Sequence, residues 1–85
     1  MADGVRYYAI VGSGRTPQTP SGLARRRPAA GGPVDEALRR DLSWEPDAAI
    51  IEWEYGEVGA DLVELSEAAA DRLIAGFRLA WNVRA

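Results

Sequence analysis

Ser66-Glu67-Ala68-Ala69-Ala70-Asp71-Arg72-Leu73-Ile74-Ala75-Gly76-Phe77-Arg78-Leu79-Ala80-Trp81 decides the fold class. Ala70, Leu73, Ile74, Phe77 and Trp81 recur at helical spacing and make one apolar stripe. Ser66 suits an N-cap, because its side-chain oxygen can accept from an early backbone N–H. Glu67 and Asp71 come before Arg72 and Arg78, the order that complements the helix dipole. The spacing predicts a helix over 67–81, roughly 22 Å long. Gly76 inside it costs about 1 kcal/mol relative to alanine, and close approach to a sheet is the expected compensation. A helix with one apolar stripe needs a surface to cover.

Working back from Ser66, Asp61 to Leu65 reads as a strand. Gly56-Glu57-Val58-Gly59 reads as a turn. Ile50 to Tyr55 alternates, with Ile51, Trp53 and Tyr55 on one face and Ile50, Glu52 and Glu54 on the other. A half-buried strand fits this pattern, so residues 50–65 are expected to form a hairpin. A helix opening at an Asp47 cap and stopping at Gly56 is the second reading.

In the first half, Val5 to Val11 is rich in β-branched and aromatic residues and predicts a strand. Gly12-Ser13-Gly14 ends it, and the two prolines of 16–22 predict a loop. Leu23 to Arg27 is long enough for a short strand. Pro28-Ala29-Ala30-Gly31-Gly32-Pro33 breaks the chain again. Val34, Ala37, Leu38 and Leu42 then fall at helical spacing, which predicts a short helix over 34–42. The alternative there is a strand pairing back onto Leu23–Arg27.

The fold class expected is α+β: a small, mainly antiparallel sheet of three or four strands with the C-terminal helix packed on one face. With 85 residues, the chain is expected to form a single domain, 1–85, around one modest core. That core is expected to hold Val5, Tyr7, Ala9, Val11, Leu38, Ile51, Trp53, Val63 and Leu65 beside the helical stripe.

Composition narrows the chemistry. The sequence has no cysteine and no histidine, and all ten of its basic residues are arginine. Thiolate and imidazole chemistry, Schiff bases on lysine and lysine-dependent phosphate loops are therefore excluded. No cofactor and no metal site is expected, and no catalytic residue is assigned. Gly12-Ser13-Gly14 follows a strand, but the next residues are Arg15-Thr16-Pro17, so a plain turn outweighs a phosphate loop. Met1-Ala2-Asp3-Gly4 lacks the features of a signal peptide, and the apolar runs are too short for a membrane span. A cytoplasmic location is expected.

Charge is sorted along the chain. Residues 1–40 carry a net +4 and residues 41–85 a net −7, for a total of −3. Between Arg40 and Arg72 there are ten acidic residues and no basic one. Such a stretch is either a solvated face, partly met by arginines of the first half, or a surface that steers a basic partner. General nucleic-acid binding is disfavoured by the net negative charge.

Three groups are candidates for partner binding. Arg25, Arg26 and Arg27 form the densest charge, and arginine forks bind phosphate or carboxylate bidentately. The competing reading is that they pair with acids of the same chain. Glu52, Glu54 and Glu57, with Asp61 and Glu64, could gather carboxylates across the hairpin, although a solvent-facing polar strand surface is by far the stronger reading. Trp44 lies in an irregular segment and is either a lid on the core or an exposed anchor.

Tyr7-Tyr8-Ala9, Ser21-Gly22-Leu23-Ala24-Arg25-Arg26, Glu36-Ala37-Leu38-Arg39-Arg40-Asp41, Trp44-Glu45-Pro46 and Val63-Glu64-Leu65-Ser66-Glu67 resemble segments of small single-domain proteins from high-GC Gram-positive bacteria. The resemblance implies a bacterial cytoplasmic domain. It carries no established activity and no functional residues, and it favours an extended segment over 34–47. The function expected is a non-enzymatic protein-interaction or regulatory module of the antitoxin or immunity kind, with an acidic surface for a basic protein partner. The alternative is a site for a small anion or nucleic acid at Arg25–Arg27.

Overall fold

A computed structural model describes residues 4–56 and 61–81. Among these residues the chain forms β1 (Arg6–Val11), β2 (Gly22–Arg27), β3 (Val34–Leu38), β4 (Trp44–Pro46), α1 (Ala49–Glu54), β5 (Asp61–Leu65) and α2 (Glu67–Ala80). The strands make one antiparallel sheet in the order β4-β3-β2-β1-β5. The class is α+β as expected, but the sheet has five strands rather than three or four. The first four strands form a meander. The chain then crosses the sheet through α1 and returns at the far edge as β5, beside β1.

Register fixes which side chains share a face. Tyr8 lies opposite Ala24 and Glu64, Ile10 opposite Leu62, and Ala24 opposite Ala37. On this face Ile50 of α1 packs into a cluster with Tyr8, Ala24 and Leu62, with Ile10 and Trp53 half-buried against it. The Tyr8 and Trp53 rings sit 6.4 Å apart in a tilted arrangement. The opposite face carries Tyr7, Ala9, Leu23, Arg25, Glu36 and Leu65. There α2 lies over β1 and β5, and Ala9, Leu23 and the helix's own Ala70 are buried.

The final helix follows its sequence closely. The Ser66 hydroxyl oxygen accepts from the Ala69 N–H at 3.1 Å, and the helix is capped at Trp81. Along the stripe Ala70 is buried, while Leu73, Ile74, Phe77 and Trp81 are half-buried. The expectation for Gly76 does not hold. A Cβ built there meets nothing within 4 Å, so no close approach compensates the glycine.

Two central segments exchange their expected states. Residues 34–38 form a strand, not a helix, because this register sets Asp35 opposite Arg26 and Glu36 opposite Arg25. The β3–β4 hairpin closes through a turn in which the Leu42 N–H donates to the Arg39 carbonyl at 2.8 Å. Leu42 itself takes a left-handed φ of 68°, a position more often given to glycine or asparagine. Residues 44–46, expected to be irregular, are the edge strand β4.

Residues 49–54 form a helix, not a strand, so the hairpin expected over 50–65 does not exist. The Asp47 carboxylate accepts from the Ala49 N–H at 2.7 Å, and Gly56 takes a φ of +73° beyond the helix end. The turn expected at 56–59 falls largely outside the described residues. Helical geometry reverses the burial expected from alternation: Ile50 is buried, while Ile51 is 46% exposed. Val63, also expected in the core, is 37% exposed. Val5, Tyr7, Val11, Leu38, Trp53 and Leu65 are half-buried, and Tyr8, Leu23, Ala24 and Leu62 take the interior positions. No helix among the described residues is long and apolar enough to cross a membrane.

Candidate functional site

Strand alternation splits the three consecutive arginines between the two sheet faces, and each finds carboxylate oxygen. On the face covered by α1, the Arg26 Nε donates to Asp35 Oδ1 at 2.7 Å and its Nη2 to Asp35 Oδ2 at 3.0 Å. The same guanidinium donates to Glu54 of α1 at 3.1 and 3.0 Å. On the other face, Glu36 Oε1 accepts from the Nε atoms of Arg25 at 2.8 Å and Arg27 at 3.0 Å. Glu36 is only 7% exposed, yet no buried side-chain polar atom among the described residues lacks a partner. A carboxylate this enclosed is tolerated because two cations and their N–H groups meet it.

These contacts move protonation equilibria in consistent directions. Hydrogen bonds from Arg27 lower the Glu36 pKa below its ordinary value against the opposing effect of burial, and Arg25 adds to the lowering. The Arg26 hydrogen bond lowers that of Glu54. Hydrogen bonds to Asp35 and then Glu54 raise the already high value of Arg26. All these groups stay charged at neutral pH, and much of the charge of the arginine cluster is matched within the fold.

Trp44 on β4 is half-buried. The Arg25 guanidinium carbon sits 4.3 Å from its ring centroid, and the Tyr7 ring lies 6.2 Å away at 57°. The indole therefore covers the aliphatic and cationic surface of Arg25, a cation–π contact inside the arginine–carboxylate lattice.

The acidic stretch is dispersed: Glu45, paired with Arg39, lies on β4, Asp41 and Asp47 lie in the adjoining loops, and its other described acids lie on α1, β5 and α2. Glu52 is exposed on α1, and Glu54 is held by Arg26. Asp61 and Glu64 are exposed on β5, and Glu67 and Asp71 on the first turns of α2. Glu57 lies outside the described residues. Among the described residues, Glu52, Asp61, Glu64, Glu67 and Asp71 take part in no ion pair. No three acidic groups among the described residues are close enough to hold a metal ion. β5 pairs with β1 along one side, and among the described residues its other side is a sheet edge. Ile51, Tyr55 and Val63 are the exposed apolar side chains of this part of the chain, Tyr55 at 76%.

A second place has no counterpart in the sequence reading. Arg15, Arg40 and Arg72 have no carboxylate partner among the described residues. They line a groove of about 460 Å³ together with Leu73, Phe77 and Trp81. The helical spacing of Phe77 and Trp81 was visible, but the three arginines are far apart in sequence. Gly12-Ser13-Gly14 forms an ordinary turn, closed by the Arg15 N–H donating to the Gly12 carbonyl at 3.0 Å.

No protein-family model, no curated protein and no solved structure matches this chain.

Proposed function

We propose that the protein is a small, non-enzymatic interaction module of bacterial cytoplasm that engages a basic protein partner along the flank formed by α1, β5 and the start of α2. The carrying observation is the unequal fate of the Arg25–Arg27 cluster and the acids of this flank. Arg25, Arg26 and Arg27 are engaged by Asp35, Glu36 and Glu54, whereas Glu52, Asp61, Glu64, Glu67 and Asp71 stay exposed and unpaired among the described residues. Unbalanced charge of one sign raises the encounter rate with a partner of the other sign.

The edge of β5 left unpaired among the described residues adds a directional element. An extended basic segment can pair with its backbone while its cationic side chains reach Asp61 and Glu64. Exposed Tyr55, Ile51 and Val63 supply apolar contact on the same part of the chain. An inhibitor of the antitoxin or immunity kind fits this combination. Anion or nucleic-acid binding through Arg25–Arg27 has less support, because the donors that would grip phosphate already grip carboxylates.

The test is partner capture from the native host with wild-type bait and with an E52Q/E64Q/E67Q bait. The same basic protein should be retained by the wild type and lost with the variant. Equal capture by both baits would overturn the reading.

A further inference from the structure

Three of the five arginines left without a carboxylate partner among the described residues converge. Arg15 comes from the turn after β1, Arg40 from the β3–β4 hairpin loop and Arg72 from α2, and all three line the groove floored by Leu73, Phe77 and Trp81. Among the described residues, no carboxylate lines it. Three cations sharing one cleft repel one another, and an anion placed among them removes that repulsion while accepting several charge-assisted hydrogen bonds. Arginine is suited to this, since its planar fork matches carboxylate and phosphate oxygens.

The rest of the cleft joins polar Gln18, Thr19 and Ser21 to an apolar side that is already arranged. The Phe77 and Trp81 rings stack at 4.4 Å with 4° between their planes, and the Arg40 guanidinium carbon lies 5.0 Å from the Trp81 centroid. Gly76 also lines the groove, and nothing within 4 Å would meet a Cβ there. The absent side chain thus leaves the cleft open beside the aromatic pair. The volume falls within the range of about 300–1,000 Å³ usual for small-molecule sites.

We propose that this groove binds a small organic anion, its carboxylate or phosphate head held by Arg15, Arg40 and Arg72 and its apolar body laid against Leu73, Phe77 and Trp81. The site is separate from the acidic flank and does not depend on the function proposed for it.

The test is a ¹⁵N–¹H NMR titration of the full chain with octanoate, octanol and inorganic phosphate in parallel. Octanoate should shift the amides of Arg15, Arg40, Gly76, Phe77 and Trp81 saturably. It should bind about tenfold more tightly than octanol or phosphate, because only octanoate uses both halves of the cleft. R40Q and R72Q should each weaken it about tenfold. G76L keeps every arginine and replaces a helix-weakening glycine, so it should raise the melting temperature while abolishing octanoate binding. Octanol binding as tightly as octanoate, shifts confined to other surfaces, or a G76L variant that binds octanoate like the wild type would each overturn the assignment. Inorganic phosphate binding as tightly as octanoate would also overturn it, by removing the role of the apolar floor.

Discussion

Arg26 of β2 and Glu54 of α1 meet through two hydrogen bonds, Nη1 to Oε2 at 3.1 Å and Nη2 to Oε1 at 3.0 Å. The same guanidinium clasps Asp35 of β3. One cation therefore ties the crossing helix to two strands of the sheet, at a point where α1 is only six residues long. A helix that short is unstable alone and depends on such tertiary contacts.

Removing this tie should loosen α1 selectively. R26A is expected to destabilise the protein by about 2 kcal/mol, since it leaves the largely enclosed Asp35 without its partner. E54Q should cost clearly less than R26A, because Glu54 is exposed and its pairing is screened by solvent. Urea titrations of the two single variants and the double variant give both values. Equal costs for the two single variants would contradict the view that Asp35 carries the larger share.

Acid should weaken the fold through Glu36. Its folded pKa is depressed by Arg27 and Arg25, so its contribution is fully present above the unfolded glutamate value of about 4.3 and is lost as pH falls through the folded value. Glu54, lowered by Arg26, acts in the same direction. Stability measured from neutral pH downward should therefore fall once the pH drops below the ordinary glutamate range. E36Q should be less stable at neutral pH, with a shallower fall in acid. An unchanged acid slope in E36Q would contradict the assignment.

Gly76 is a glycine that the helix does not need for packing. With open space where a Cβ would lie, G76A should stabilise the protein by about 1 kcal/mol through helix propensity alone. Thermal denaturation reads this directly. A destabilised G76A would mean that the backbone there is crowded after all.

How far the fold was legible depended on whether the deciding information was local. Tyr7 to Val11, Asp61 to Leu65 and the capped stripe after Ser66 carry their state in their own pattern, and each forms the expected element. Val34-Asp35-Glu36-Ala37-Leu38 fits both helical and extended spacing. Its state is decided by arginines nine to eleven residues upstream, through Arg26–Asp35 and Arg25–Glu36. The hairpin turn that follows was obscured because leucine, not glycine, occupies the left-handed position at residue 42. Ile50 to Tyr55 is equally ambiguous. Asp47, Gly56 and the reach of Glu54 to Arg26 decide it, and only the first two are local signals.

The candidate sites divide in the same way. Arg25–Arg27 stood out as a cluster, but two of the acids that engage them, Asp35 and Glu36, lie in a segment expected to be helical. The groove of Arg15, Arg40 and Arg72 needs the sheet order and the hairpin loop before its members become neighbours.

The claim that the acidic flank recruits a basic partner is tested most directly by the association rate constant with that partner, measured from about 50 mM to about 500 mM salt, a range over which the screening length shrinks severalfold. The rate should fall steeply for the wild type, and the dependence should flatten in E52Q/E64Q/E67Q. A rate that is indifferent to salt, or a variant whose salt dependence equals that of the wild type, would contradict it.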